Sequence, residues 1–132
     1  MKTNAFLALA AILILACVSM PVVNLNPMFA QDRQDQRVQE KFEHYRQAIS
    51  NTFQVDIKDF QENLEGGLAD GKPITEYDLE ELLMGIKIER EHTRDSFIAL
   101  EIAMDHLERI PDYYSRLRRL EREAMSDRLL QM

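Results

Sequence analysis

Two short stretches concentrate the side chains able to do chemistry. Glu89-Arg90-Glu91-His92 sets Glu89 and His92 three residues apart, and Asp105-His106 follows. Helical positions three apart share a face. Glu89 and His92 could therefore hold one metal, as the Glu-x-x-His pairs of carboxylate-bridged di-iron bundles do. Such bundles need a second pair and two further glutamates. Here the residue three before His106 is Ala103, so the second half of a di-iron centre is missing. What remains is a mononuclear set of Glu89, His92, Asp105 and His106, whose donors suit zinc or iron. The competing account is architectural, and it is the stronger one. His106 lies between Ile102 and Ile110 on an apolar helix side, where an imidazole commonly satisfies one hydrogen bond within a core. His92 falls in a last helical turn, where it can bond free carbonyls at the negative end of the dipole. Glu91 or Asp95 could bond either ring.

Other chemistries find less support. The hydroxyls Ser50, Ser96, Ser115 and Ser126 have no elbow of flanking glycines for a nucleophilic serine. The single cysteine, Cys17, stands in an N-terminal apolar run. Gly66-Gly67 and Asp70-Gly71 lack the preceding strand and following Lys-Ser/Thr of a phosphate cradle, and read as a helix stop and a turn. Tyr113-Tyr114 could form a ligand platform; the expectation is that Tyr113 enters the core and Tyr114 packs at its margin. Arg116, Arg118, Arg119 and Arg122 form a basic cluster interleaved with Glu121, Glu123 and Asp127. That pattern fits a solvated helix face better than a site for an anionic partner such as lipid headgroups.

The elements that must position these residues are helices. Val38, Phe42, Tyr45, Ile49 and Phe53 form one stripe at helical spacing, predicting a helix over 32–53. Ile57, Phe60 and Leu64 make a one-sided row that predicts a short second helix from Asp56, stopped at Gly66-Gly67. Thr75 is the expected N-cap of a third helix running to about His92, with Leu79, Leu82, Leu83 and Ile86 buried. Asp95 is the expected cap of a fourth, over Ser96–Arg109, carrying Ala99, Ile102, Ala103, His106 and Ile110 on one side. Pro111 separates it from a last helix over about 112–130, with Tyr113, Leu117, Leu120 and Ala124 as its stripe.

Composition narrows the function classes. The chain has 132 residues, 16 Lys+Arg against 23 Asp+Glu, and a formal net charge of -7. That balance argues against binding nucleic-acid phosphates. One cysteine excludes a disulfide scaffold, and four glycines with four prolines leave little room for a turn-rich β fold. After Lys2, residues 5–18 (AFLALAAILILACV) are uninterruptedly apolar. This is the length of a signal-peptide core and short of the roughly 20 residues of a membrane span. Cleavage after Ala30 is the expected outcome. The alternatives are lipidation of Cys17, whose Ile14-Leu15-Ala16-Cys17 loosely resembles a lipobox, or retention of the segment as an anchor. Cleavage removes Lys2 and no acid, leaving 102 residues at a charge of -8.

The stretch Gly85 to Leu117 carries a joint pattern: Gly85-Ile86-Lys87-Ile88-Glu89-Arg90-Glu91-His92, then Ile102-Ala103-Met104-Asp105-His106-Leu107, then Pro111-Asp112-Tyr113-Tyr114. It resembles a small bacterial and phage domain family of unknown function. The family commonly has an acid where Arg109 stands and often Pro where Ser96 stands. The resemblance implies a compact helical domain with Glu89, Glu91, His92, Asp105 and His106 gathered at one hairpin, and it supplies no reaction.

The expectation is therefore an all-α bundle of about four helices after an N-terminal signal peptide: residues 1–30 signal, 31–53 an N-terminal helix, 54–132 the helical domain. Its expected role is non-enzymatic, in the periplasm or secreted, binding an envelope protein or itself. A metal-binding domain or metal-dependent hydrolase at Glu89, His92, Asp105 and His106 is the alternative. No nucleic-acid partner is expected, and contact with membrane only if Cys17 is lipidated or the signal is uncleaved. Intact mass of the exported chain is expected to place Gln31 at the N-terminus; a diacylated Cys17 there contradicts this.

Overall fold

The computed structural model describes residues 27–131, with side chains from residue 30. Four helices make up the architecture: α1 Pro27–Phe53, α2 Leu79–Glu89, α3 Ser96–Arg109 and α4 Tyr113–Leu130. Two single 3-10 turns, Ile57–Asp59 and Ile74–Glu76, lie between α1 and α2, and the described residues contain no strand. The expected all-α bundle is what the chain forms. Residues 5–18, the expected signal core, lie outside the described residues, and the expected cleavage point after Ala30 falls in the first turn of α1. No described helix is long and apolar enough to cross a membrane.

α1 is about 40 Å long at 1.5 Å per residue, but only its second half is packed. Phe42, Tyr45, Ile49 and Phe53 face the core as their spacing predicts. Val38, assigned to the same stripe, is 60% exposed. The reason is reach: residues 30–41 are all exposed, so the stripe outruns the rest of the protein. The helix ends at Gln54, whose φ of 62° turns the chain in the left-handed conformation. Arg46 then ties α1 to the next segment with a two-pronged pair to Asp56 (2.7 and 2.6 Å). Tyr45 Oη donates to the carbonyl of Tyr77 at 2.7 Å.

The helix expected from Asp56 to Leu64 is a correction. Asp56 does cap, accepting from Lys58 N, but the helical turn stops after Asp59 and Phe60 is extended (ψ 128°). The competing partner is a carboxylate. Glu101 accepts from the backbone N–H groups of Asn63 (3.0 Å) and Leu64 (2.8 Å), so those donors serve α3 instead of a local helix. Farther along the same loop, Asp105 Oδ1 accepts from Ala69 N at 2.9 Å. Gly67 leaves room for this: a Cβ there would sit 2.7 Å from Asp105 Oδ1. The third helix starts later than expected. Thr75 lies in a 3-10 turn, and Asp78 is the N-cap of α2, accepting from Glu80 N and Glu81 N. Asp95 caps α3 as expected, through Phe97 N and Ile98 N.

α2 and α3 pack against each other most extensively. Leu82 and Ile86 of α2 meet Ala99, Leu100, Ala103 and Met104 of α3, all at most 1% exposed. The two helices approach closely because Gly85 faces Ala103. A Cβ at Gly85 would lie 2.7 Å from the Ala103 Cβ and 2.5 Å from the Tyr114 ring. Gly85→Ala therefore overpacks a slot with no flexible wall, at a cost toward the upper end of about 1–3 kcal/mol, against a helix-propensity gain of up to about 1 kcal/mol. The expected result is a net loss of about 1–2 kcal/mol and a melting midpoint lower by about 4 °C or more for each kcal/mol lost; an unchanged midpoint contradicts the packing described.

Candidate functional site

Tyr114, at 0% exposure, is the residue around which the motif-bearing helices close. Its ring fills the space beside Gly85. Its hydroxyl donates to Glu89 Oε1 at 2.8 Å. Its backbone N–H, with that of Ser115, donates to Glu81 Oε2 (3.0 and 3.2 Å). α4 begins after Asp112, whose side chain makes no capping bond and instead accepts from Arg116 Nε at 2.7 Å. The free N–H groups at the start of α4 are therefore satisfied by a carboxylate from α2. Burial first, then the Glu89 bond, pushes the Tyr114 phenol well above the usual tyrosine range, so the phenol stays neutral at physiological pH.

This overturns the expected roles of the tyrosine pair. Tyr114 is the core residue and Tyr113 the marginal one, because the Glu81 cap fixes the phase of α4 with Tyr114 toward α2. Tyr113 instead stacks on His106, with ring centroids 4.4 Å apart.

His106 is held by its own helix. Its Nδ1 lies 2.8 Å from the carbonyl of Ile102. A carbonyl only accepts, so Nδ1 carries the proton and a neutral ring has its lone pair on Nε2. Nδ1 also lies 3.9 Å from Glu89 Oε1. The ring borders an open cavity of about 530 Å³ whose walls include Gly67, Leu68, Arg109 and Tyr113.

The four residues singled out from the sequence are placed as follows. Glu89 and His106 come together, joined by Tyr114. Asp105 points to the 66–70 loop and holds Ala69. His92 is exposed in the turn after α2, which ends at Glu89 rather than at His92. Among the described residues, no three His, Cys, Asp or Glu side chains converge to hold a metal ion. What the arrangement does is fix backbone: Glu81, Glu101 and Asp105 each accept main-chain N–H groups from a segment distant in sequence.

Glu81 and Glu101, 7% and 4% exposed, were not anticipated. One signal was available for Glu81. Glu81, Gly85 and Glu89 stand four apart beside Leu82 and Ile86, which puts two acids on an apolar face around a glycine.

The fold and the site together define a small helical domain stapled by buried carboxylates. The chain belongs to the family described as "Protein of unknown function (DUF5661)", which matches residues 46–123, more than half of the chain. The resemblance to a small helical family of unknown function is thereby borne out. No curated protein and no solved structure matches the chain significantly.

Tyr114→Phe keeps the ring and strands the Glu89 carboxylate, whose side chain is only 12% exposed. The expected loss is about 1–3 kcal/mol in urea unfolding, against under about 0.5 kcal/mol for Tyr113→Phe, which loses no hydrogen bond. A raised phenol pKa contributes stability that is full below about pH 10 and declines above it. The variant should therefore also show a shallower alkaline decline. Equal losses at the two positions contradict the assignment.

Proposed function

We propose that this chain is a non-enzymatic module of the cell envelope, exported to the periplasm or secreted, that works by binding protein, either an envelope partner or itself. The observation that carries this reading is the contrast between its acids and its helix ends. Among the described residues, Glu81, Glu89, Glu101 and Asp105, the acids drawn into the interior around the motifs, are engaged in holding the fold together. Apolar side chains, by contrast, stand unpartnered on the projecting halves of α1 and α4: Val38, Leu120, Met125, Leu129 and Leu130 are 60–83% exposed. Exposed apolar side chains on projecting helix segments are available for contact with another protein, which supports the binding reading. The export half of the reading rests on the N-terminal apolar run alone.

The rival reading is a metal-binding domain centred on Glu89, His92, Asp105 and His106, with zinc or iron. Its supporting observation is the approach of Glu89 Oε1 to His106 Nδ1. That is two donors where a protein site uses three or four. Both nearby atoms are also already engaged, by the Tyr114 hydroxyl and the Ile102 carbonyl.

One pair of measurements separates the readings. Light scattering across a concentration series, with cross-linking in intact cells, is expected to give either a mass above one chain or a reproducible envelope partner. Zinc and ferrous iron are expected to leave the melting midpoint unchanged. A strict monomer without partner contradicts the first reading. A metal-dependent stabilisation near the ~2.7 kcal/mol of a ligand at 100 times its dissociation constant, lost in His106→Ala, establishes the second.

A further inference from the structure

The fold accounts for Glu81, Glu89 and Tyr114, but it leaves polar atoms unused at one other place. Asp105 and His106 stand four and three residues before Arg109, so all three share a face of α3. They border the open cavity of about 530 Å³ together with Leu68, Ile110 and Tyr113. The His106 Nδ1 proton goes to the Ile102 carbonyl, so the neutral ring keeps Nε2 as an acceptor. Asp105 engages Ala69 N through Oδ1, which leaves Oδ2. Arg109 is exposed, and its guanidinium has no ion pair or hydrogen bond to any described residue. An acid and an arginine four apart on a helix are neighbours that can pair. Here the Ala69 bond turns the carboxylate toward the 66–70 loop, and the two opposite charges stand unpaired on one wall.

We propose that this cavity binds a zwitterionic small molecule, an α-amino acid with an apolar side chain. Charge decides the class. With an anion and a cation on the same wall, a ligand carrying only one sign would meet its like. A zwitterion satisfies both. Its carboxylate suits the two-pronged guanidinium of Arg109. Its ammonium, with three N–H donors, suits Asp105 Oδ2 and His106 Nε2. Leu68, Ile110 and the Tyr113 ring are left for the side chain, and an aromatic ring can pack on Tyr113. The volume lies within the roughly 300–1,000 Å³ of small-molecule sites. The walls are also fixed in advance. The Ala69 bond ties the loop to α3, and Gly67 lets it lie so close that a Cβ there would sit 2.7 Å from Asp105 Oδ1. Tyr113 is stacked on His106, with ring centroids 4.4 Å apart. Such preorganisation lowers the ordering cost of binding.

This inference stands apart from the protein-binding reading and fails separately from it. Amide NMR spectra of the exported chain at neutral pH test it with three probes. These are L-phenylalanine, 3-phenylpropionate, which lacks the ammonium, and 2-phenylethylamine, which lacks the carboxylate. L-Phenylalanine is expected to saturate with a Kd of about 1 mM or below, an ordinary efficiency for a ligand of this size. The shifted amides should be those of Gly67, Leu68, Arg109 and Tyr113. Each analogue is expected to bind about tenfold more weakly or worse, because it leaves one polar partner unmatched. Arg109→Gln, at an exposed position, should reduce the preference over 2-phenylethylamine to about threefold or less. Asp105→Asn keeps an oxygen for Ala69 N and should do the same to the preference over 3-phenylpropionate. The unperturbed core amides of each variant report that it is folded. Equal binding of the three probes overturns the zwitterion assignment, and so do preferences unchanged in the variants. Shifts confined to residues away from the cavity, or no saturable shift up to about ten times the expected Kd, overturn the site.

Discussion

Everything in this fold leans on the burial of Tyr114. An aromatic ring of this size brings a large apolar contribution, but it also brings a hydroxyl and the free N–H groups of a helix start into a dry interior. Leaving either unpaired costs on the order of 1–3 kcal/mol. The chain resolves this with two acids on one face of α2. Glu81 takes the N–H groups of Tyr114 and Ser115, and Glu89 takes the hydroxyl. Gly85, midway between them, supplies the space for the ring. The three positions are separated by four residues each, so a single helix face presents acceptor, slot and acceptor in line. That face determines where α4 starts and which of its residues points inward.

The same device recurs in the middle of α3. Glu101 and Asp105, one turn apart, accept N–H groups from the long connection between α1 and α2. That connection has almost no regular structure of its own, so its backbone donors need partners elsewhere. Buried carboxylates are costly unless they are fully hydrogen-bonded. Here no buried side-chain polar atom among the described residues lacks a partner. An acidic domain without a disulfide thus uses part of its surplus charge as internal fastening. The Lys72–Glu108 ion pair and the Tyr77–Glu108 hydrogen bond continue the pattern along the same side of α3.

How much of this was legible in the sequence depended on whether the deciding contact was local. Asp95, Ser96–Arg109 and Pro111 marked α3 and its end because capping and helical spacing act within a turn or two. The packed half of the α1 stripe was legible for the same reason. Val38 was not, because periodicity records a helix face and says nothing about how far the partner extends. The Asp56–Leu64 row failed because Glu101, thirty-seven residues from Leu64, outcompeted the local helix for its N–H donors. The Tyr113/Tyr114 reversal has the same origin, since the cap on α4 comes from α2. His106 has the one satisfied bond expected of it, to Ile102, but its side chain is 36% exposed. The expected row of Ile102, His106 and Ile110 stands at the margin, and the buried side of α3 is Leu100, Met104 and Leu107 with Ala99 and Ala103. The sequence neighbours Glu89–His92 and Asp105–His106 looked like one cluster, but the hairpin brings together only Glu89 and His106.

The central claim is that Glu81 and Glu89 lock α4 onto α2 through Tyr114. Amide hydrogen exchange read by NMR tests it most directly. The first N–H groups of an ordinary helix exchange rapidly, because nothing protects them. The Tyr114 and Ser115 amides are expected to exchange slowly, with protection approaching that of Ala103 and Met104 in the core of α3, and Glu81→Gln should selectively erode it. Exchange of the two amides at the rate of the exposed first turns of α1, or protection indifferent to Glu81, would contradict the account.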